Sequence, residues 1–325
     1  MVLASGSGPT ANTQPPLECP LCEHAEARPE LRSSNGYHVV RCSRCGLVYT
    51  DMRDAPAPAM LYPEFDQSDS VLSRTLSRPL GAFTRQRENL VRSVKPQGRL
   101  LDFGCGSGAF ARWMSRSGDF DVVGLEPFSL GRPTRGDRLL LLREPFESAA
   151  PRMGRFDVVT LWHVLEHLNR PAETLRSLSD LLAPDGVVIV SVPNFQSWQS
   201  RVFGGGWFHL DPPRHVVHFE AETLDRCLRD AGLTPIRDWS FLPEYGLSGW
   251  IQSTLNRIVP HPNYLYELVK DRGAVKDLGV LKQGLFATLS ILAGGPTLAL
   301  SFPAEALASS LGGGAALTVA AKRAP

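Results

Sequence analysis

The stretch LLDFGCGSGAF, residues 100–110, places three glycines directly after an apolar run. The apolar residues predict a short buried strand, and the residues from about Gly108 to Ser117 predict a helix. A strand, a glycine turn and a helix in this order open a doubly wound α/β sheet, in which a ligand lies on bare backbone at the carboxyl end of the strand. The stretch therefore predicts a Rossmann-like domain that binds an adenosine-containing ligand.

The acidic residues around this turn narrow the choice of ligand. The turn reads G-x-G-x-G, so its last glycine comes one residue earlier than in the G-x-G-x-x-G of nicotinamide-binding proteins. Asp102 lies two residues before Gly104, and Glu126 ends a second predicted strand, FDVVGLEPF. A carboxylate at that strand end can bind both ribose hydroxyls. These features favour an adenosine ligand other than a dinucleotide.

Five segments in order, LLDFGCGSG, VVGLEP, FDVVTLWHVLEHLNRP, LLAPDGVVIVSVPN and PRHVVHFEAETLDRCLRDAGL, resemble class I S-adenosylmethionine-dependent methyltransferases. The resemblance spans residues 99–238 and is greatest to the branch of ubiquinone-type O-methyltransferases and bacterial sugar methyltransferases, some of which carry an amino-terminal zinc-binding domain. It implies an α/β fold with a doubly wound seven-stranded sheet, and S-adenosylmethionine as cofactor.

The resemblance also implies which residues bind the cofactor. In the family an acid after the third strand contacts the adenine, and Glu144 or Glu147 can fill that place. Cys105 is expected to be a small filler rather than a reactive thiol. The predicted cofactor-binding residues are Asp102, Gly104, Cys105, Gly106, Gly108, Glu126, Pro127 and Trp162.

Candidate catalytic residues follow the predicted fourth strand in LWHVLEHL. Methyl transfer is an in-line displacement, and it requires a base only when the nucleophile must lose a proton. The resemblance to sugar methyltransferases makes Glu166 and His167 a candidate acid/base pair. His163 stands at the first place of an E-x-x-E-H pattern with which some family members hold a divalent metal. The alternative role for these residues is to cap and pack a helix.

A second cluster of candidates lies in FGGGWFHLDPPRHVVHF, where glycines and prolines predict a loop that lines the acceptor pocket. His215 in this loop is a second candidate base. Trp207 and Phe208 either stack on a sugar or aromatic acceptor or close the core.

Two C-x-x-C pairs near the amino terminus, Cys19 with Cys22 and Cys42 with Cys45, predict a zinc ribbon with a closed structural Zn²⁺ site. Flanking residues alternate like short strands, so each pair is expected at a hairpin tip. Unrelated thiol pairs or a redox dithiol are the alternative. Residues 15–65 contain five arginines and seven acidic residues, which makes the ribbon a poor phosphate clamp. Nucleic acid is therefore not an expected partner.

Near the carboxyl terminus, TPIRDWSF and ALTVAAKR match the sixth and seventh strands of the family, and residues 242–315 form an insertion between them. Gln283 to Ala304 carry no charge, and Gly294, Gly295 and Pro296 interrupt this run. The interruption predicts two short apolar helices rather than a membrane span. They are expected either to pack on the protein or a homodimer partner, or to insert peripherally into a bilayer surface.

The chain is accordingly divided into a disordered tail (1–15), a zinc ribbon (16–55), a linker with helices (56–98), the methyltransferase core (99–241), the helical insertion (242–315) and the final strand (316–325). The first residues lack a secretory signal, and thiols in C-x-x-C pairs suit a reducing compartment, so a cytoplasmic protein is expected, with the membrane surface as the alternative. The predicted function is methyl transfer to oxygen or carbon of a small molecule or glycan precursor. An RNA methyltransferase that reads through the ribbon and a non-catalytic scaffold are the alternatives.

Overall fold

The computed structural model describes residues 17–53, 77–128, 134–261, 263–269 and 278–324. The predicted tail and residues 56–76 of the predicted linker lie outside these ranges. The helices are α1 (Ser77–Val94), α2 (Ala109–Ser115), α3 (Phe146–Met153), α4 (Pro171–Asp180), α5 (Trp198–Phe203), α6 (Ala221–Asp230), α7 (Pro243–Ile258), α8 (Tyr264–Val269) and α9 (Val280–Ser310).

The strands form two sheets. They are β1 (Ala27–Arg32), β2 (His38–Cys42), β3 (Val48–Thr50), β4 (Gly98–Phe103), β5 (Phe120–Leu125), β6 (Thr134–Gly136), β7 (Leu139–Leu142), β8 (Phe156–Trp162), β9 (Leu182–Pro193), β10 (Val217–His218), β11 (Leu233–Trp239) and β12 (Ala316–Arg323). The small sheet has the order β1-β2-β3-β10, and the large sheet has the order β11-β12-β9-β8-β4-β5-β7-β6.

The large sheet confirms the predicted doubly wound α/β fold. Strands β7, β5, β4, β8 and β9 are parallel, whereas β12 and β11 close one side as an antiparallel pair. Alternate residues of β4 point to opposite faces: Leu100 packs with Met114 of α2, and Leu101 packs with Leu175 of α4. Helices therefore cover both faces, and this is why the strands are nearly continuous apolar runs.

The parallel strands end at a common edge of the sheet. Phe103, Leu125 and Leu142, the last residues of β4, β5 and β7, are in register, and Asp102 pairs with Thr160 of β8. The loops that follow these strands consequently converge, and this edge carries the candidate site. One strand exceeds the predicted seven, because β6 pairs antiparallel with β7 at the outer edge.

The amino-terminal ribbon is joined to the core by backbone pairing. Strand β3 pairs antiparallel with β10, which belongs to the predicted acceptor loop. The Thr50 hydroxyl donates to the His215 carbonyl at 2.7 Å and lies 3.0 Å from Nε2 of His218. Arg41 binds both carboxylate oxygens of the buried Glu220. The ribbon thus holds the predicted acceptor loop in place.

The prediction of two short helices between Gln283 and Ala304 is wrong, because α9 is one helix of 31 residues that contains Pro296 and Pro303. Proline at 296 removes one helical hydrogen bond, but the Thr297 hydroxyl donates to the neighbouring Ala293 carbonyl at 2.7 Å. Packing of α9 against α7 and α8 continues on both sides of the proline, so the helix does not end there.

Candidate functional site

The glycine turn after β4 is shaped by left-handed backbone at Gly104 and Gly106 (φ +71° and +53°). A Cβ on Gly104 would lie 2.4 Å from Cγ2 of Val164, so this position requires glycine. Gly106 faces open space, with no atom within 4 Å of an ideal Cβ. The turn therefore offers bare backbone on its open side, as a ligand that lies on it requires.

Two carboxylates flank this turn. Asp102 is 2% exposed, and its Oδ1 accepts a hydrogen bond from the Thr160 hydroxyl at 3.0 Å. Burial raises the pKa of Asp102 to about 7, against the lowering effects of the Thr160 hydroxyl and the Arg87 guanidinium. Glu126 accepts hydrogen bonds from the backbone N–H groups of Gly106 and Phe128, both at 3.1 Å. Pro127, which follows Glu126, is exposed.

The third parallel strand, β7, contributes a residue that the sequence prediction missed. Arg143 donates to the Gly106 carbonyl at 2.7 Å, whereas the predicted adenine-contacting acids point elsewhere: Glu144 pairs with Arg152, and Glu147 is exposed. A charged residue directly after the run LLLL was the available signal. Burial raises the pKa of the nearby Cys105 to about 12, so its thiol stays protonated, as expected of a filler.

The turn after β8 brings together the predicted catalytic residues. Glu166 is 1% exposed, and neither carboxylate oxygen makes a hydrogen bond within the described residues. Nδ1 of His163 lies 3.1 Å from Oε1 of Glu166, within ion-pair distance but outside hydrogen-bond geometry, and Nε2 of His215 lies at 3.9 Å. A buried carboxylate without hydrogen bonds is costly and marks a site of function or ligand binding.

The remaining contacts of the histidines set their roles. His215 Nδ1 lies 2.8 Å from the His209 carbonyl, and His167 Nδ1 lies 2.9 Å from the Arg214 carbonyl. Burial places the pKa of His215 well below its usual value, so the ring is neutral at pH 7 and its Nε2 faces Glu166. Glu166, His167 and His215 place one ligand atom each within 4.8 Å of one another. This arrangement can accept a proton or hold a divalent cation.

His163 has an unusual backbone conformation, and its ring stacks on an aromatic residue. Its φ is +54°, in the left-handed region that few non-glycine residues adopt. Its ring stacks on Tyr245 of α7 with a centroid separation of 3.4 Å, and its Nε2 is buried without a hydrogen-bond partner among the described residues. The Tyr245 hydroxyl accepts from Arg87 of α1 at 2.6 Å. The prediction missed Tyr245 and Arg87, since neither belongs to a motif.

Other aromatic residues around the site belong to the core. Trp162, at the end of β8, packs edge-on against Phe110 with centroids 5.7 Å apart. Trp207 is buried and donates to Gln199, so it closes the core rather than offering a stacking platform. Phe208 is half-buried beside Tyr266.

The four ribbon cysteines form a separate cluster. Their Sγ atoms lie within 4.8 Å of one another, with Cys19 and Cys45 at 3.5 Å and Cys22 and Cys42 at 3.6 Å. Cys42 and Cys45 lie at the hairpin that joins β2 and β3, whereas Cys19 and Cys22 lie in a turn before β1. Only Cys42 and Cys45 are therefore at a hairpin tip. Four convergent thiols can hold a metal ion.

One described helix is long and apolar enough to cross a membrane by length and composition alone, at Leu281–Ser310.

Comparison with known proteins identifies relatives of the chain. A ubiquinone biosynthesis O-methyltransferase of Yersinia enterocolitica is 37% identical over 116 residues, which cover 33% of this chain and 48% of the relative. The enzyme of that name in Vibrio campbellii is 28% identical over 167 residues, which cover 49% of this chain and 69% of that relative. The chain thus spans about half of the Yersinia relative and about two thirds of the Vibrio relative.

Among solved structures, coclaurine N-methyltransferase bound to N-methylheliamine and S-adenosylhomocysteine has a TM-score of 0.47 at 11% identity, covering 74% of this chain and 73% of that protein. Residues 75–237, half of the chain, match the methyltransferase domain family. The glycine turn, Asp102 and Glu126 lie within that match, and the chain belongs to the S-adenosylmethionine-dependent methyltransferases.

Proposed function

We propose that the protein methylates a hydroxyl oxygen of a small molecule. The observation that carries this proposal is the buried Glu166 carboxylate between His163 and His215, because an alcohol acceptor must lose a proton and these residues can take it. The relatives named O-methyltransferase agree with an oxygen acceptor. A sugar or glycan hydroxyl belongs to the same chemical class and is a second candidate acceptor.

The chain's own residues have distinct roles in this proposal. When bound, S-adenosylmethionine supplies an electrophilic methyl group. Asp102 would hold its positively charged methionyl part, Glu126 would bind the ribose hydroxyls, and the bare backbone at Gly106 would leave room for it. The Glu166 carboxylate, 3.1 Å from Nδ1 of His163, would stabilise the positive charge that the ring gains when its buried Nε2 takes the acceptor proton. Tyr245 stacks on His163 and holds the ring in place.

The acceptor is tested with labelled S-adenosylmethionine and a cell extract separated into small molecules, glycans and RNA. We expect label in the small-molecule fraction as a methyl ether, identified by mass spectrometry.

Glu166→Gln keeps the side-chain shape and removes the negative charge, so we expect turnover to fall by about 10² to 10⁴ with unchanged cofactor affinity. Glu173→Gln, on an exposed acid of α4, is the control. Label in RNA, or no labelled product, would contradict the proposal.

The ribose-binding role of Glu126 is tested by calorimetry with S-adenosylhomocysteine. Glu126→Ala removes the carboxylate that bonds the Gly106 N–H, and we expect affinity to fall about tenfold or more, the loss of one to two charge-assisted hydrogen bonds. Asp121→Ala changes an exposed acid at the other end of the same strand and should leave affinity unchanged. Equal affinities of both variants would disprove the role.

The raised pKa of Asp102 predicts a pH dependence of cofactor binding. A cationic methionyl group stabilises the carboxylate, so affinity should rise by up to about tenfold per pH unit below pH 7 and level off above it. The free protein should show the opposite trend: because the folded pKa lies above the unfolded value, stability falls as pH rises toward 7. Calorimetry and thermal unfolding from about pH 5.5 to 8.5 measure both trends. Asp102→Asn should abolish them, and a variant that retains the wild-type profile would refute the assignment.

We also propose that Cys19, Cys22, Cys42 and Cys45 bind one structural Zn²⁺. The Sγ separations fit a tetrahedral thiolate site, and the bound metal would stabilise β3, on which β10 and the acceptor loop depend.

For the full chain, we expect Cys45→Ser to lose zinc by elemental analysis, together with amide exchange protection in β10, while S-adenosylhomocysteine still binds. Cys227→Ala, which alters a buried cysteine of α6 outside the ribbon, should retain both the metal and the protection. Full zinc content or undiminished β10 protection in Cys45→Ser would contradict the proposal.

A further inference from the structure

Helix α9 has the reverse of the usual polarity of a surface helix. Four of its polar side chains face the protein and are buried: Ser290, Ser301, Glu305 and Ser309. Six large apolar side chains are each more than half exposed: Leu285, Ile291, Leu292, Leu298, Leu300 and Phe302. We call these six residues the apolar face of α9. A surface helix in contact with water normally has the opposite arrangement.

The polar side of α9 is fixed to the protein at its carboxyl-terminal end. The Glu305 carboxylate accepts hydrogen bonds from Gln199 Nε2 at 3.0 Å, Trp250 Nε1 at 3.1 Å and the Ala315 N–H at 2.7 Å. A Cβ on Gly246 of α7 would lie 2.2 Å from the Glu305 side chain, so α7 and α9 are in close contact. The side that carries Glu305 therefore cannot turn outward without breaking these bonds.

The amino-terminal half of α9 is fixed in a similar way. Phe286 packs edge-on against Tyr264 with ring centroids 5.5 Å apart, and the Tyr264 hydroxyl donates to the Gln283 carbonyl at 3.0 Å. A helix attached along one side cannot be surrounded by lipid, so α9 does not cross a bilayer while the domain is folded.

The width of the apolar face indicates what covers it. At 3.6 residues per turn, its six residues extend around more than half of the helix circumference. One neighbouring helix of a second copy would cover only a stripe of about 100°. No charged residue lies between Gln283 and Ala304, so a polar partner has nothing to pair with. Fluid acyl chains can cover a wide, uncharged surface of this kind.

We propose that the apolar face of α9 inserts into one leaflet of a lipid bilayer, with the helix parallel to the membrane plane and the folded domain above it. Lys282, exposed in the first turn of the helix, can extend its ammonium group to the headgroups. Insertion by apolar contact requires no anionic lipid. The proposal rests on α9 alone and does not depend on the acceptor or the base proposed above.

The test is flotation of the full chain with neutral phosphatidylcholine vesicles at low and high salt. We expect the wild-type protein to float in both conditions. The double variant Ile291→Glu/Leu300→Glu places two charges on side chains that are 75% and 69% exposed, so it should fold normally and bind vesicles about tenfold or more weakly. Ile236→Glu, which changes a 48% exposed residue of β11, is the matched control and should float like the wild type.

A second measurement needs no variant. Amide exchange of the wild-type protein with and without vesicles should show added protection confined to α9. Binding to anionic vesicles only, abolished by salt, would overturn the proposal, as would the absence of added protection. Failure to bind vesicles together with a dimer that the double variant converts to a monomer would assign this face to a second copy. Thermal unfolding and S-adenosylhomocysteine affinity of each variant show separately whether the fold and the cofactor site are intact.

Discussion

The pairing of β3 with β10 is the constraint on which the position of the proposed acceptor loop depends. It makes the amino-terminal ribbon part of the sheet that carries the acceptor loop, and Thr50 holds both the His215 carbonyl and the His218 ring. A loop rich in glycine and proline has little stability of its own, since its backbone entropy must be offset by contacts elsewhere. The ribbon supplies these contacts. The amino-terminal ribbon therefore fixes the backbone position of His215.

Two buried carboxylates, Asp102 and Glu166, lie at the edge of the large sheet that carries the candidate site. Asp102 has a hydroxyl partner, and its raised pKa shows how strongly burial disfavours its charge. Glu166 has imidazoles within ion-pair distance but no hydrogen bond in the part of the chain that the structure describes. Each is expensive to bury, and each becomes favourable when a cation or a proton arrives beside it. The two carboxylates belong to neighbouring strands, since Asp102 of β4 pairs with Thr160 of β8 and Glu166 follows Thr160 by six residues.

The sequence predicted the parts of the site that lie within one strand and its following loop. The glycine turn, Asp102 and Glu126 follow from local pattern because the chain direction in a parallel sheet brings such loops to one edge. Arg87 and Tyr245 could not be found in this way, because they come from helices far apart in the chain and meet only through packing. Local pattern also misjudged α9, since the effect of Pro296 on a helix is decided by contacts with α7 that the sequence does not display.

The insertion between β11 and β12 connects the candidate site with the surface helix α9. Its first helix, α7, places Tyr245 against His163 in the candidate site, and the same helix receives Glu305 of α9 beside Gly246, one residue away. A displacement of α9 would therefore act on the backbone next to Tyr245. The insertion is thus both a surface element and, through Tyr245, a wall of the candidate site.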